Sequence, residues 1–180
     1  MNYKSVFFTL LLTTILLATG CREKPRDRIF QMIYPNLTFE IPPGVGSSLS
    51  LVFEFPLLAT NFDDYLQENG IDESLIEGIY PVSATISSLD GGEYFYVQEA
   101  EVRVCSVGED CRPELDGVFY IDNLNGRAKR EINFLPGLQN VRSLMSGSEF
   151  RLEVVLKLRL GEVTPYSVDS KLDLSFEAVR

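Results

Sequence analysis

The sequence predicts an all-β domain built as a two-sheet antiparallel sandwich, and three observations carry that expectation. Residues 150–160 alternate apolar and polar side chains almost without a break. Several shorter runs do the same, and turn-forming Gly, Pro or Asn residues close most of them. No stretch with helical spacing is long enough to cover a sheet, so the sheets must bury their apolar faces on each other.

The elements follow in chain order. Leu37, Phe39 and Ile41 alternate before Pro42-Pro43-Gly44. Leu49, Leu51, Phe53 and Phe55 alternate before Pro56. Phe62, Tyr65 and Leu66 fall at i, i+3 and i+4, a short helix that Asn69-Gly70 would end. Asp72 is placed to cap a second turn carrying Leu75, Ile76 and Ile79. Val82, Ala84 and Ile86 alternate before Asp90-Gly91-Gly92. Ala100, Val102 and Val104 alternate up to Cys105, which falls on the polar face with Arg103. Phe119 and Ile121 lead into Asn125-Gly126, and Ile132 and Phe134 follow it. Leu138, Val141, Leu144 and Met145 return to helical spacing before Gly147.

The clearest pattern comes last. Phe150, Leu152, Val154, Leu156, Leu158 and Leu160 share one face, against Arg151, Glu153, Lys157 and Arg159 on the other. Val155 alone breaks the alternation. After a break at Gly161–Pro165, Tyr166, Val168, Leu172, Leu174, Phe176 and Ala178 face one way. These two strands are expected to pair as a long antiparallel hairpin. Seven or eight strands with turns between them suit a sandwich of immunoglobulin-like architecture with one or two connector helices, a small barrel being the alternative.

The totals agree with one such domain. The chain has 180 residues, 12 Phe and 8 Tyr, but no His and no Trp. Formal charge is −10, with 16 basic and 26 acidic residues. Five of the bases and two of the acids precede Ile29, so 11 bases meet 24 acids in residues 29–180. A body this acidic repels phosphates, which argues against a nucleic-acid partner.

Residues 1–20 follow the plan of a secretory signal. Lys4 supplies the charge, Val6 to Ala18 is apolar apart from Thr, and Ala18-Thr19-Gly20 precede Cys21. The run is shorter than the ~20 residues a spanning helix needs. This segment resembles the lipobox of bacterial lipoproteins. It departs from the usual pattern in having Ala18 where Leu is common, with Leu17 one residue earlier. The resemblance implies cleavage before Cys21 and acyl chains on that cysteine. It also implies a cell-envelope location, with Arg22 after the cysteine favouring an outer membrane. Residues 21–28 then form a charged tether, and residues 29–180 the single sandwich domain. Asn61-Phe-Asp-Asp-Tyr-Leu-Gln-Glu-Asn-Gly70, with a strand near Val82, resembles one-domain β-rich lipoproteins of Bacteroidota, a likeness that implies no activity.

With Cys21 assigned to lipid, Cys105 and Cys111 remain as an even pair in an exported chain. Gly108 and Glu109-Asp110 between them form a turn, and a disulfide is expected across it. The redox or metal alternative would want a closer spacing or a His.

Chemistry is sparsely represented. Without His, no Ser-His or Cys-His pair can form, and there is no Gly-x-Ser-x-Gly, Ser-x-x-Lys or Gly-rich phosphate motif. The carboxylate pairs Asp63-Asp64, Asp72-Glu73 and Glu109-Asp110 are adjacent in sequence and point apart. No catalytic residue, metal ligand or cofactor is therefore assigned. Tyr94-Phe95-Tyr96 is the densest aromatic cluster and the candidate binding surface, unless one side of it is core. The expected role is a membrane-anchored, non-enzymatic binding or structural module whose partner is an envelope protein or glycan. The alternatives are a carrier of an apolar ligand and a carboxylate-based hydrolase.

Overall fold

The computed structural model describes residues 27–124 and 129–180. The signal segment, Cys21, most of the tether and the Asn125-Gly126 turn lie outside the described residues.

The strands are β1 (Arg28–Ile41), β2 (Ser50–Ala59), β3 (Gly78–Ser88), β4 (Val97–Cys105) and β5 (Gly117–Ile121). They continue with β6 (Glu131–Asn133), β7 (Leu135–Pro136), β8 (Glu149–Leu158) and β9 (Val168–Val179). Three short helices join them: α1 (Phe62–Asn69), α2 (Pro113–Asp116) and α3 (Arg142–Met145). The strands form two antiparallel sheets, as the alternation predicts. A four-stranded sheet runs β1-β9-β3-β6 and a five-stranded sheet runs β2-β8-β4-β5-β7.

The expected β8–β9 hairpin does not form. β8 pairs with β2 and β4, and β9 pairs with β1 and β3, in opposite sheets. Each strand is paired along both edges, and each turns its apolar row toward the other sheet. A hairpin would have put both rows on one sheet. Residues 159–167 instead cross between the layers, held to the β1–β2 connection by Gly44 N–H donating to Thr164 O and Ser47 N–H to Glu162 O. β8 ends at Leu158, so Leu160 is 92% exposed and not an inward residue. Tyr166 likewise precedes β9 and is exposed.

β1 begins well before Leu37 because a bulge hides its pattern. Its register on β9 shifts between Tyr34 and Leu37, where Asn36 adopts a left-handed φ of 60°. Phe30, Met32 and Tyr34 face inward before the shift, and Leu37, Phe39 and Ile41 after it. A one-residue insertion reverses the phase of a period-two pattern. β2 has the same device between Phe55 and Leu58 and continues past Pro56. Pro35 and Pro56 cost no ladder bond, because β1 and β2 are edge strands.

α1 forms as its spacing predicts, and Gly70 closes it at φ 63°. Tyr65 on α1 stacks on Phe30 at 5.7 Å and accepts the Ile33 N–H at 3.0 Å, covering part of the β1 edge. Asp72 caps as expected, its carboxylate accepting Ser74 N–H at 2.8 Å. The capped piece is a single 3-10 turn, Glu73–Leu75, and Ile79 belongs to β3. α3 is likewise one turn, with Leu138 outside it.

Between the sheets, rings from four strands meet edge to edge or tilted. Tyr34 of β1 lies 5.2 Å from Phe150 of β8 and 6.1 Å from Phe176 of β9, and Phe176 lies 5.6 Å from Phe119 of β5.

Candidate binding face

The outer face of the five-stranded sheet is assembled by register, row by row. Ser50, Lys157 and Glu99 form the first row across β2, β8 and β4. Val52, Val155, Glu101 and Tyr120 form the second, which extends onto β5. Glu54, Glu153, Arg103 and Gly117 form the third, and Arg151 and Cys105 begin a fourth. These are the polar positions of the alternation, so the sequence places them on one surface and the register brings them side by side.

The charges in these rows are tied to one another. Arg103 donates to Glu101 Oε2 from Nε at 3.0 Å and from Nη2 at 2.7 Å, and its Nη1 lies 3.7 Å from Glu153. Arg151 Nη2 donates to Glu153 at 2.8 Å and lies 3.2 Å from Glu54. It thereby separates two carboxylates that face each other in register. Lys157 donates to Glu99 at 2.9 Å, and that hydrogen bond raises the lysine's pKa above its ordinary value. Gly117 makes room for this lattice, since a Cβ there would strike the Glu101 carboxylate.

Over the second row the face dips into a concavity of about 340 Å³. Its floor is Val155, only 3% exposed although it points away from the core. Tyr120, 44% exposed, and Pro113 of α2 form apolar walls. Glu99, Glu101, Glu114 and Asp122 bring carboxylates to its rim, with Arg103 and Lys157 as its cations. None of these was singled out as a binding residue from sequence. The signal that could have found them is Val155, the one apolar side chain on the polar side of β8.

Of the two readings of Tyr94-Phe95-Tyr96, the structure shows the one in which a side of the segment is core. Tyr94 and Tyr96 are fully buried between the sheets, and only Phe95 reaches solvent, at 37%. Tyr94 Oη donates to Ser170 Oγ at 3.0 Å, a polar position on the inner row of β9. Burial pushes the Tyr94 phenol up to about 12, against the opposing pull of that hydrogen bond. Tyr96 Oη is buried with no partner among the described residues. The segment lies between β3 and β4 and still alternates, Phe95 outward between two inward tyrosines.

Cys105 and Cys111 are joined as a disulfide, with Cα atoms 5.4 Å apart. The bridge closes a loop beside the fourth row, where Arg151 Nη1 donates to Glu109 O at 3.3 Å and lies 3.8 Å from Asp110. Cys21 lies outside the described residues. Among the described residues, no three Cys, Asp or Glu side chains converge as metal ligands, and no helix is long and apolar enough to cross a membrane.

Fold and site define a disulfide-bonded β-sandwich with a charged, concave outer face. No protein-family model matches this chain. No curated protein matches it either.

Proposed function

We propose that the protein is a lipid-anchored envelope module that binds a partner through the outer face of its five-stranded sheet and carries out no chemistry itself. The observation that carries this reading is the concavity over Val155. A buried apolar floor and an exposed aromatic wall on an otherwise charged face are what a binding surface offers, desolvated contact inside a polar rim. The sheet beneath is paired on both sides of β8 and β4, so the side chains stand on a rigid base.

The anchor gives the binding its mechanism. Acyl chains on Cys21 would hold the domain in two dimensions and raise its concentration near envelope partners. β1 starts at the pole where β9 ends, so the described chain meets the tether at that pole of the sandwich. Two features support this reading over the alternatives. Tyr94, Tyr96, Phe119, Phe150 and Phe176 fill space between the sheets that a carried ligand would need. Glu101 and Glu153 are engaged by guanidinium groups, and Glu114 and Asp122 at the rim are exposed to solvent rather than enclosed in a cleft.

A photo-reactive side chain at Tyr120 of the full-length protein in native membranes tests the binding face. A discrete adduct from that position, with none from the exposed Leu138, is expected. Identical labelling from both positions defeats the proposal. The anchor is tested separately by Cys21→Ser, which should abolish incorporation of radiolabelled palmitate.

A further inference from the structure

We infer that the concavity over Val155 receives a cationic side chain, lysine or arginine, from a partner protein. The inference rests on the proposed binding role and names the chemistry of the partner.

The lattice of ion pairs leaves the concavity with charge to spare. Arg103 is committed to Glu101 and Glu153, and Lys157 to Glu99. Glu114 on α2 and Asp122 after β5 are exposed and make no side-chain hydrogen bond or ion pair with any described residue. An incoming cation would thus meet two unengaged carboxylates without breaking an existing pair. An incoming anion would meet two cations that already have partners and two carboxylates that repel it.

The apolar parts decide the shape of the ligand. Val155 and Pro113 suit a methylene stem, and the Tyr120 ring suits a cation held over its face. A lysine or arginine side chain has both parts, an aliphatic stem and a charged head. A hydrated metal ion has no use for the floor, and a neutral sugar has none for the charge. The volume, about 340 Å³, admits one such side chain with the backbone that carries it.

The test uses the full-length chain in detergent micelles, isotopically labelled, with amide signals followed by NMR. Four probes are added: N-acetyl-Gly-Lys-Gly-amide, its Arg counterpart, its Glu counterpart and spermidine. The Lys and Arg peptides are expected to shift the signals of Tyr120, Val155 and Glu101 saturably, and the shifts should weaken as salt rises. Glu114→Gln combined with Asp122→Asn should weaken binding by about tenfold, about threefold to fivefold for each exposed carboxylate. Both residues are exposed, so the spectrum of the free variant should stay otherwise intact.

The inference is overturned if the Glu peptide shifts the same signals as strongly, or if neither cationic peptide moves them. It is also overturned if spermidine binds far more tightly than both peptides, which reassigns the concavity to a small polyamine. A specific adduct from Tyr120 together with silent cationic peptides keeps the binding face and discards the cation. Loss of both discards the proposed function with it.

Discussion

Glu153 on β8 lies directly across from Arg103 on β4, their charged atoms 3.7 Å apart, and Glu153 is only 6% exposed although it belongs to the outer face. Arg151 closes on the same carboxylate from the other side at 2.8 Å. One buried acid therefore holds two guanidinium groups.

Removing that acid should be costly. Glu153→Ala takes one carboxylate from each of two largely covered guanidinium groups, which keep Glu101 and Glu54, and a loss of about 2 kcal/mol is expected, below the roughly 3–5 kcal/mol of a buried pair broken outright. Glu99→Gln acts on a pair whose lysine is more than half exposed, and should cost less than about 1 kcal/mol. Urea denaturation of the two variants side by side measures the difference. Equal costs would mean that the outer lattice is solvated throughout.

Tyr94 and Tyr96 should respond in opposite ways to loss of a hydroxyl. Tyr94→Phe removes the hydrogen bond that Ser170 Oγ accepts, leaving the serine its own bond to Val168 O, and should destabilise by about 1 kcal/mol. Tyr96→Phe removes a hydroxyl with no partner among the described residues, and should be neutral or stabilising by up to about 1 kcal/mol. Thermal unfolding of both variants checks the sign of each.

The disulfide should stiffen one loop and little else. Replacing Cys105 and Cys111 together by Ser opens a loop whose cysteines are 6 residues apart, and the loop-entropy relation gives about 2 kcal/mol. Hydrogen exchange should quicken in residues 106–112 while the amides of β9 keep their protection.

Stability should fall at both ends of the pH scale, for opposite reasons. Hydrogen bonds from the backbone amides of Gly92 and Asp169 and from the Ser88 hydroxyl hold the Asp90 carboxyl below its ordinary value. Its contribution is present above the usual aspartate range of about 4 and is lost as the pH falls through the lowered folded value. At the alkaline end, burial pushes the phenols of Tyr34, Tyr94 and Tyr96 upward. Their contribution is intact below about 10, where unfolded tyrosine ionises, and is lost as the pH climbs toward the folded values. Urea midpoints measured across the range should show Asp90→Asn flattening the acid limb and changing the alkaline one only slightly, because burial outweighs the Asp90 charge in raising Tyr94 and Tyr96.

Within an unbroken strand, local pattern was enough to say which residues share a face. Ala100, Val102 and Val104 point inward and Arg103 and Cys105 outward, because consecutive side chains on a strand lie on opposite sides. It also determined where α1 stops, because Gly70 takes the left-handed conformation that ends it. The pairing of Cys105 with Cys111 was legible for a similar reason, a short span with a turn inside it. Tertiary structure alone decided which strands became neighbours. β8 and β9 each satisfy the same period-two rule in a hairpin or in separate sheets, and only burial of their apolar rows against each other selects the second. Bulges at Tyr34/Leu37 and Phe55/Leu58 reversed the phase of two strands, so a reading of unbroken alternation lost half of β1. The concavity was beyond any local pattern. Val155, Tyr120 and Glu114 come from β8, β5 and α2, and only the register of three paired strands, with the position of a helix, brings them to one place.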